Sequence, residues 1–153
     1  MYNMEENTMA TVSRLSMIIL MQHDIEQAIA FYQKLGCTLR FKLPNQWAEL
    51  GLADMTIGLC PTSQAAEPRR TGLVFAVDDV QAFYNTYKDT LNFLSEPVIK
   101  MHGGMISVQD PHGNIIDLYQ ATPEKVQEIL KQQCTKTPCC KMDSSGTKEC
   151  CKA

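Results

Sequence analysis

The chain carries one structural unit twice, and this duplication narrows the folds open to it more than any other feature. Leu15, Met17, Ile19 and Met21 alternate with Ser16, Ile18 and Leu20, a run apolar on both sides that predicts a strand buried on both faces. A helix follows at once. Asp24 stands at its N-cap with Gln27 in the reciprocal capping-box position, Ile25, Ala28, Ile29 and Tyr32 recur at helical spacing, and Gly36 ends it. Three short extended segments come next, Cys37 to Leu43, Trp47 to Leu52 and Met55 to Cys60, with Pro44, Asn45 and Pro61 as stops.

After a Ser/Ala/Pro-containing linker from Pro61 to Arg70, the order returns. Gly72 to Val77 reads as a strand. Asp78, with Gln81, opens a helix whose Val80, Phe83, Tyr84 and Tyr87 form the apolar stripe. Extended segments over Ser95 to Lys100, Met105 to Gln109 and Asn114 to Tyr119 complete the second unit. Asp24-Ile25 with Phe31-Tyr32 is echoed by Asp79-Val80 with Phe83-Tyr84. The expected fold is therefore α+β, with two βαβββ modules over residues 13–63 and 71–121. A flexible leader occupies residues 1–12. Thr122 and Pro123 start a C-terminal helix over residues 122–133, and a cysteine-rich tail covers residues 134–153.

At 153 residues, 44% of them hydrophobic and 20% charged, the chain has the material for a real core. A net charge of −3 with no basic run excludes a phosphate backbone as natural partner, so nucleic acid is not expected. The apolar run from Met17 to Met21 is too short for a membrane helix and lacks a basic flank with a cleavage site; a cytoplasmic protein without membrane contact is expected.

Two stretches carry a family resemblance: Asp24-Ile25-Glu26-Gln27-Ala28-Ile29-Ala30-Phe31-Tyr32 with Leu35-Gly36, and Asp110-Pro111-His112-Gly113-Asn114 with Asp117. In order, separation and duplication they resemble the signatures of the vicinal oxygen chelate superfamily, the glyoxalase, bleomycin resistance and dioxygenase proteins. The resemblance implies that the paired modules form a curved mixed sheet around a cavity and that the chain is a homodimer. The second stretch is also turn chemistry in its own right. Pro111 presets φ, Gly113 accepts a positive φ, and Asp110 and Asn114 bond nearby backbone amides.

Metal-dependent relatives place ligands at four inward positions, which correspond by resemblance to Met17, Gly58, Gly72 and Asp117. A catalytic divalent ion wants imidazole nitrogens and carboxylate oxygens, and only Asp117 offers one. No metal cofactor is therefore expected in the barrel, and a metal-dependent glyoxalase-type activity is disfavoured. His23, His102 and His112 all read as exposed loop residues. His102 is the first candidate among them, because Gly103-Gly104 would hinge a loop over the cavity.

Strand alternation predicts an inward, ligand-binding set of Met17, Ile19, Cys60, Val74, Asp117 and Tyr119, joined by Trp47 and Glu49. Such an apolar lining with a few polar groups suits a small-molecule ligand, although the same side chains would equally fill a core. Asp117 would have a raised pKa if it faced an apolar cavity and would then act as base or hydrogen-bond donor. Alternatively it pairs with Arg40, Arg14 or a backbone amide.

The tail holds Cys134, Cys139, Cys140, Cys150 and Cys151 among Lys, Thr, Ser and Pro, too polar for a core of its own. Without an export signal a disulfide framework is not expected. The thiols instead suit a thiophilic metal or metalloid such as Zn(II), Cd(II), Cu(I) or trivalent arsenic, with Lys136, Lys141 and Lys148 favouring the thiolate. Three functions are compatible with these features: a binding protein that sequesters a small molecule; a lyase, isomerase or dioxygenase of the same superfamily using Asp117 or Glu49, with His102 as a further catalytic candidate; and a soft-metal handler acting through the tail.

Overall fold

The computed structural model describes residues 12–136, which fall into two compact units divided between Ala66 and Glu67. The first runs β1 (Ile18–Gln22), α1 (Ile25–Lys34), β2 (Thr38–Leu43), β3 (Trp47–Leu52) and β4 (Met55–Pro61). The strands pair in the order β1-β4-β3-β2, with β1 parallel to β4 and the remaining pairs antiparallel. Asp24 caps α1 as expected, its carboxylate accepting the Gln27 amide at 3.0 Å, and Gly36 leaves the helix with φ +94°. Ile25, Ala28, Ile29, Phe31 and Tyr32 are buried along α1. They face a sheet surface on which Leu20, Ala48, Leu50, Ile57 and Leu59 are also buried. On that side Lys42 reaches Glu26 of α1 at 2.9 Å.

Strand β1 is not buried on both faces. Leu20 and Gln22 are closed off while Ile19 is 53% exposed, because α1 covers one side of the sheet and nothing else of this unit covers the other. In β2 the register shifts between Leu39 and Phe41, leaving Arg40 as the extra residue of a bulge.

The second unit runs β5 (Arg69–Ala76), α2 (Val80–Tyr87), β6 (Asn92–Phe93), β7 (Val98–Lys100), β8 (Gly103–Gln109), β9 (Asn114–Ala121) and α3 (Pro123–Lys136). Its sheet has the order β5-β9-β8-β6, with β7 also on β8 and β5 parallel to β9. Each module thus forms a mixed sheet closed by a parallel pairing of its first and last strands. Of the expected segment from Ser95 to Lys100 only Val98–Lys100 pairs, since Pro97 has no amide to give a ladder, and a further short strand, β6, precedes it at Asn92–Phe93. The cap of α2 is Asp79, not Asp78: Asp79 Oδ1 accepts the Ala82 amide at 2.9 Å, and Gln81 turns to Asn85. This register lets Val80 enter the core fully buried, its amide donating to Gln120 Oε1 at 3.0 Å. Phe93 packs edge to face with Tyr84 and Phe83, with ring centroids 5.2 and 6.4 Å apart.

The turn between β8 and β9 has the expected chemistry, with one correction. Asp110 Oδ1 accepts the amides of His112 and Asn114, both at 2.9 Å, and its Oδ2 accepts the Asn114 side-chain amide at 2.8 Å. Gly113 takes φ +96°. His112, expected to be exposed, is 1% exposed, its amide held by the buried Asp110 carboxylate while Pro111 stays outside. No helix of the described residues is long and apolar enough to cross a membrane. The leader, Val12 apart, lies outside the described residues, as do residues 137–153 of the tail; α3 begins at Pro123, one residue after the expected start, and runs on to Lys136.

This packing has two measurable consequences. Replacing Asp110 by alanine strands buried donors and should lower unfolding free energy by about 2 kcal/mol, read from urea denaturation. Cys37 is buried, and desolvation pushes its thiol up from 9.0 to about 11. The unfolded thiol therefore ionises first as pH rises above 9. The contribution is complete below that pH and is lost toward 11, at up to roughly 1.4 kcal/mol per pH unit. Comparing wild type with Cys37→Ala across this window should expose the difference; parallel pH profiles would contradict it.

Candidate functional site

Cross-strand partners share a face, so the ladder registers decide which side chains stand on the uncovered side of each sheet. In the first unit, one row crosses all four strands: Ile19, Gly58, Glu49 and Phe41. Beside it stand Met21 with Cys60, and Leu43 with Trp47. Of the residues predicted to bind ligand, this face brings together Ile19, Trp47, Glu49 and Cys60. Met17 lies just before β1 and is half-buried. The Trp47 indole N–H donates to Glu49 Oε1 at 3.0 Å, and its six-membered ring lies against Gly58, where a Cβ would come within 2.5 Å of Cη2. Arg40 bonds Thr56 Oγ1 at 3.2 Å and the Ala53 carbonyl at 3.0 Å.

In the second unit, Val74, Asp117 and Ser107 form one row, and Ala76, Tyr119, Met105 and Val98 the next. Val74, Asp117 and Tyr119, the predicted residues of this module, therefore share a face. Asp117 accepts a hydrogen bond from the Ser107 hydroxyl at 2.5 Å and pairs with Arg70 at 3.6 Å. Its partners, Ser107 and Arg70, are thus on the neighbouring strands of its own sheet. A pocket of about 210 Å³ opens beside Ser107, lined also by Ser95, Val98, Lys100, Met105 and Ile106.

His102 is exposed in the turn before β8, where its carbonyl accepts the Tyr119 hydroxyl at 2.7 Å and its ring lies 6.2 Å from the Tyr119 ring. Gly103 and Gly104 do not form a hinge. Both are buried strand residues: a Cβ on Gly103 would strike the Gln120 carbonyl, and one on Gly104 would come within 2.5 Å of Val80 Cγ1. The paired glycines serve close packing, for which the sequence signal is the same as for a hinge. His23 is exposed.

The residues at the four positions that the resemblance assigns to metal ligands are not a donor set for a hard cation. Met17 carries a thioether, Gly58 holds an indole ring in place of a side chain, and Gly72 sits with φ +75° in the register shift of β5. Asp117 alone is a competent donor. Among the described residues, no three His, Cys, Asp or Glu side chains are grouped to hold one metal ion. The candidate ligands Cys139, Cys140, Cys150 and Cys151 lie outside the described residues, as does the side chain of Cys134.

Phe41, Leu43, Arg70, Lys100 and Ser107 join these faces without having been singled out from sequence. The alternation of Phe41 and Leu43 about Lys42 was visible, but the bulge at Arg40 resets which side they take.

A family model for the Glyoxalase/Bleomycin resistance protein/Dioxygenase superfamily matches residues 14–118. No curated protein sequence matches the chain. Among solved structures, the fosfomycin resistance protein FosX from Listeria monocytogenes superposes with TM-score 0.65 at 17% identity, over 78% of this chain and 99% of its own. The antibiotic binding protein TnmS3 from a Streptomyces species gives 0.59 at 24%, over 74% and 99%. A lactoylglutathione lyase from Agrobacterium tumefaciens gives 0.58 at 18%, over 72% and 95%. Likeness at these identities carries the fold alone. With both modules present in order and the family model spanning them, the chain belongs to the glyoxalase/bleomycin resistance protein/dioxygenase superfamily.

Proposed function

We propose that the protein binds and sequesters a small organic molecule without a resident hard metal ion, as a cytoplasmic homodimer. The observation that carries this reading is the exchange of donors for apolar surface. Where metal-dependent relatives need ligands, this chain has Met17, the Trp47-filled Gly58 and Gly72, while Asp117 is held by Ser107 and Arg70. Apolar walls with a few oriented polar groups are the usual make-up of small-molecule sites. The fosfomycin resistance and antibiotic binding neighbours support the same class of ligand. Asp117 and Glu49 orient the ligand by hydrogen bonds rather than acting as bases, because each already has a partner side chain.

A second reading concerns the tail. Five thiols within residues 134–153, two pairs of them adjacent, form the densest set of soft donors in the chain. In this reading they bind a thiophilic cation.

Two experiments test these readings. A calorimetric screen of small organic molecules against chelator-treated protein should yield a saturable ligand whose affinity does not change when divalent metal is restored. Stoichiometric Ni, Zn, Fe or Mn retained by a Cys139→Ser, Cys140→Ser, Cys150→Ser, Cys151→Ser variant would overturn the metal-independent reading. The same fourfold variant should lose Cd(II) and arsenite binding; unchanged affinity would dispose of the tail's role.

A further inference from the structure

The open face of the first unit has a more specific composition than its apolar character alone implies. Its central row places Ile19, Gly58, Glu49 and Phe41 side by side across four strands. Gly58 makes room on this row for an aromatic platform. With no side chain there, the six-membered ring of Trp47 settles over the strand, and the indole N–H holds it in place against Glu49 at 3.0 Å. Around this ring Ile19, Phe41 and Leu43 are 53%, 48% and 44% exposed, an apolar rim open to solvent.

Glu49 is a half-buried carboxylate in the middle of this rim. One oxygen accepts the indole N–H; among the described residues no cation pairs with it. The two basic residues of β2 are directed elsewhere. Lys42 crosses to Glu26 on the helix-covered side, and Arg40, although it lies over Gly51, aims its guanidinium at Thr56 and the Ala53 carbonyl. The face therefore combines an anchored aromatic ring with an acceptor that no described cation satisfies.

We propose that this face selects planar organic cations, with the flat part of the ligand on Trp47 and its positive nitrogen at Glu49. The inference rests on the small-molecule reading and names the ligand class for it. An indole face attracts both flat rings and positive charge through its quadrupole. A carboxylate in an apolar setting gains most from a charged partner, and an anionic ligand would meet repulsion there.

Trp47 is the only tryptophan in the chain, so its emission reports on this face alone. The test titrates the full-length protein with N-methylquinolinium, neutral quinoline and 1-naphthalenesulfonate, following both heat and Trp47 fluorescence. The cation should bind on the order of tenfold tighter than neutral quinoline and quench Trp47 saturably, with the sulfonate weakest. In Glu49→Gln the amide oxygen still accepts the indole N–H, so the platform stays while the preference for the cation over quinoline falls below about twofold. Trp47→Leu should weaken both.

An unchanged preference in Glu49→Gln would overturn the proposal. So would a screened molecule that binds tightly while Trp47 emission stays constant, an outcome that leaves small-molecule binding itself intact. Failure of every organic molecule to bind would instead bring down both.

Discussion

Each module closes on a parallel ladder between its first and last strands, β1 with β4 and β5 with β9, and the rest of the architecture depends on that pairing. A parallel pair cannot be joined by a tight turn, so the chain must leave the sheet and return. The helix α1 or α2 is the first part of that excursion and covers one face of its sheet. The antiparallel strands then fill the space beside the last strand. Once the ladder is set, the period of two decides every side chain's face, and a one-residue slip would bring the whole open row into the core.

The same constraint explains how the open faces differ in chemistry. In the first unit the row through Gly58 leaves room for Trp47, and the indole ring with Glu49 makes a rigid polar point on an apolar ground. In the second unit the corresponding row joins Val74, Asp117 and Ser107, and Arg70 adds a charge at its side. One face carries a carboxylate with no described cation beside it, the other a carboxylate with an exposed arginine. Duplicated backbones thus display unlike surfaces, because the shared pattern constrains the buried rows and leaves the open ones to vary.

Much of the backbone was legible from residue order. The capping of α1 by Asp24 and the Asp110 turn are local, formed by side chains within four residues of the amides they serve, and the end of α1 at Gly36 is set by that residue's own positive φ. The errors arose where a local signal had two meanings. Asp78 and Asp79 both suit an N-cap, and the burial of Val80 with its bond to Gln120 chose between them. Gly103-Gly104 suits a hinge or a close contact, and the Gln120 carbonyl and Val80 chose the contact. His112 reads as a loop histidine, yet it is buried, its amide held by the Asp110 carboxylate.

The sequence by itself determined the duplication, the helices with most of the strands, and the turn. These rest on periodicity and local hydrogen bonding, which neighbouring residues specify. Tertiary structure alone decided that Trp47 fills the space over Gly58, that Arg40 is withdrawn to Thr56 and Ala53, and that Asp117 is held by Ser107 and Arg70. Those contacts join residues on different strands, and they depend on ladder register and on a bulge, which no local pattern encodes.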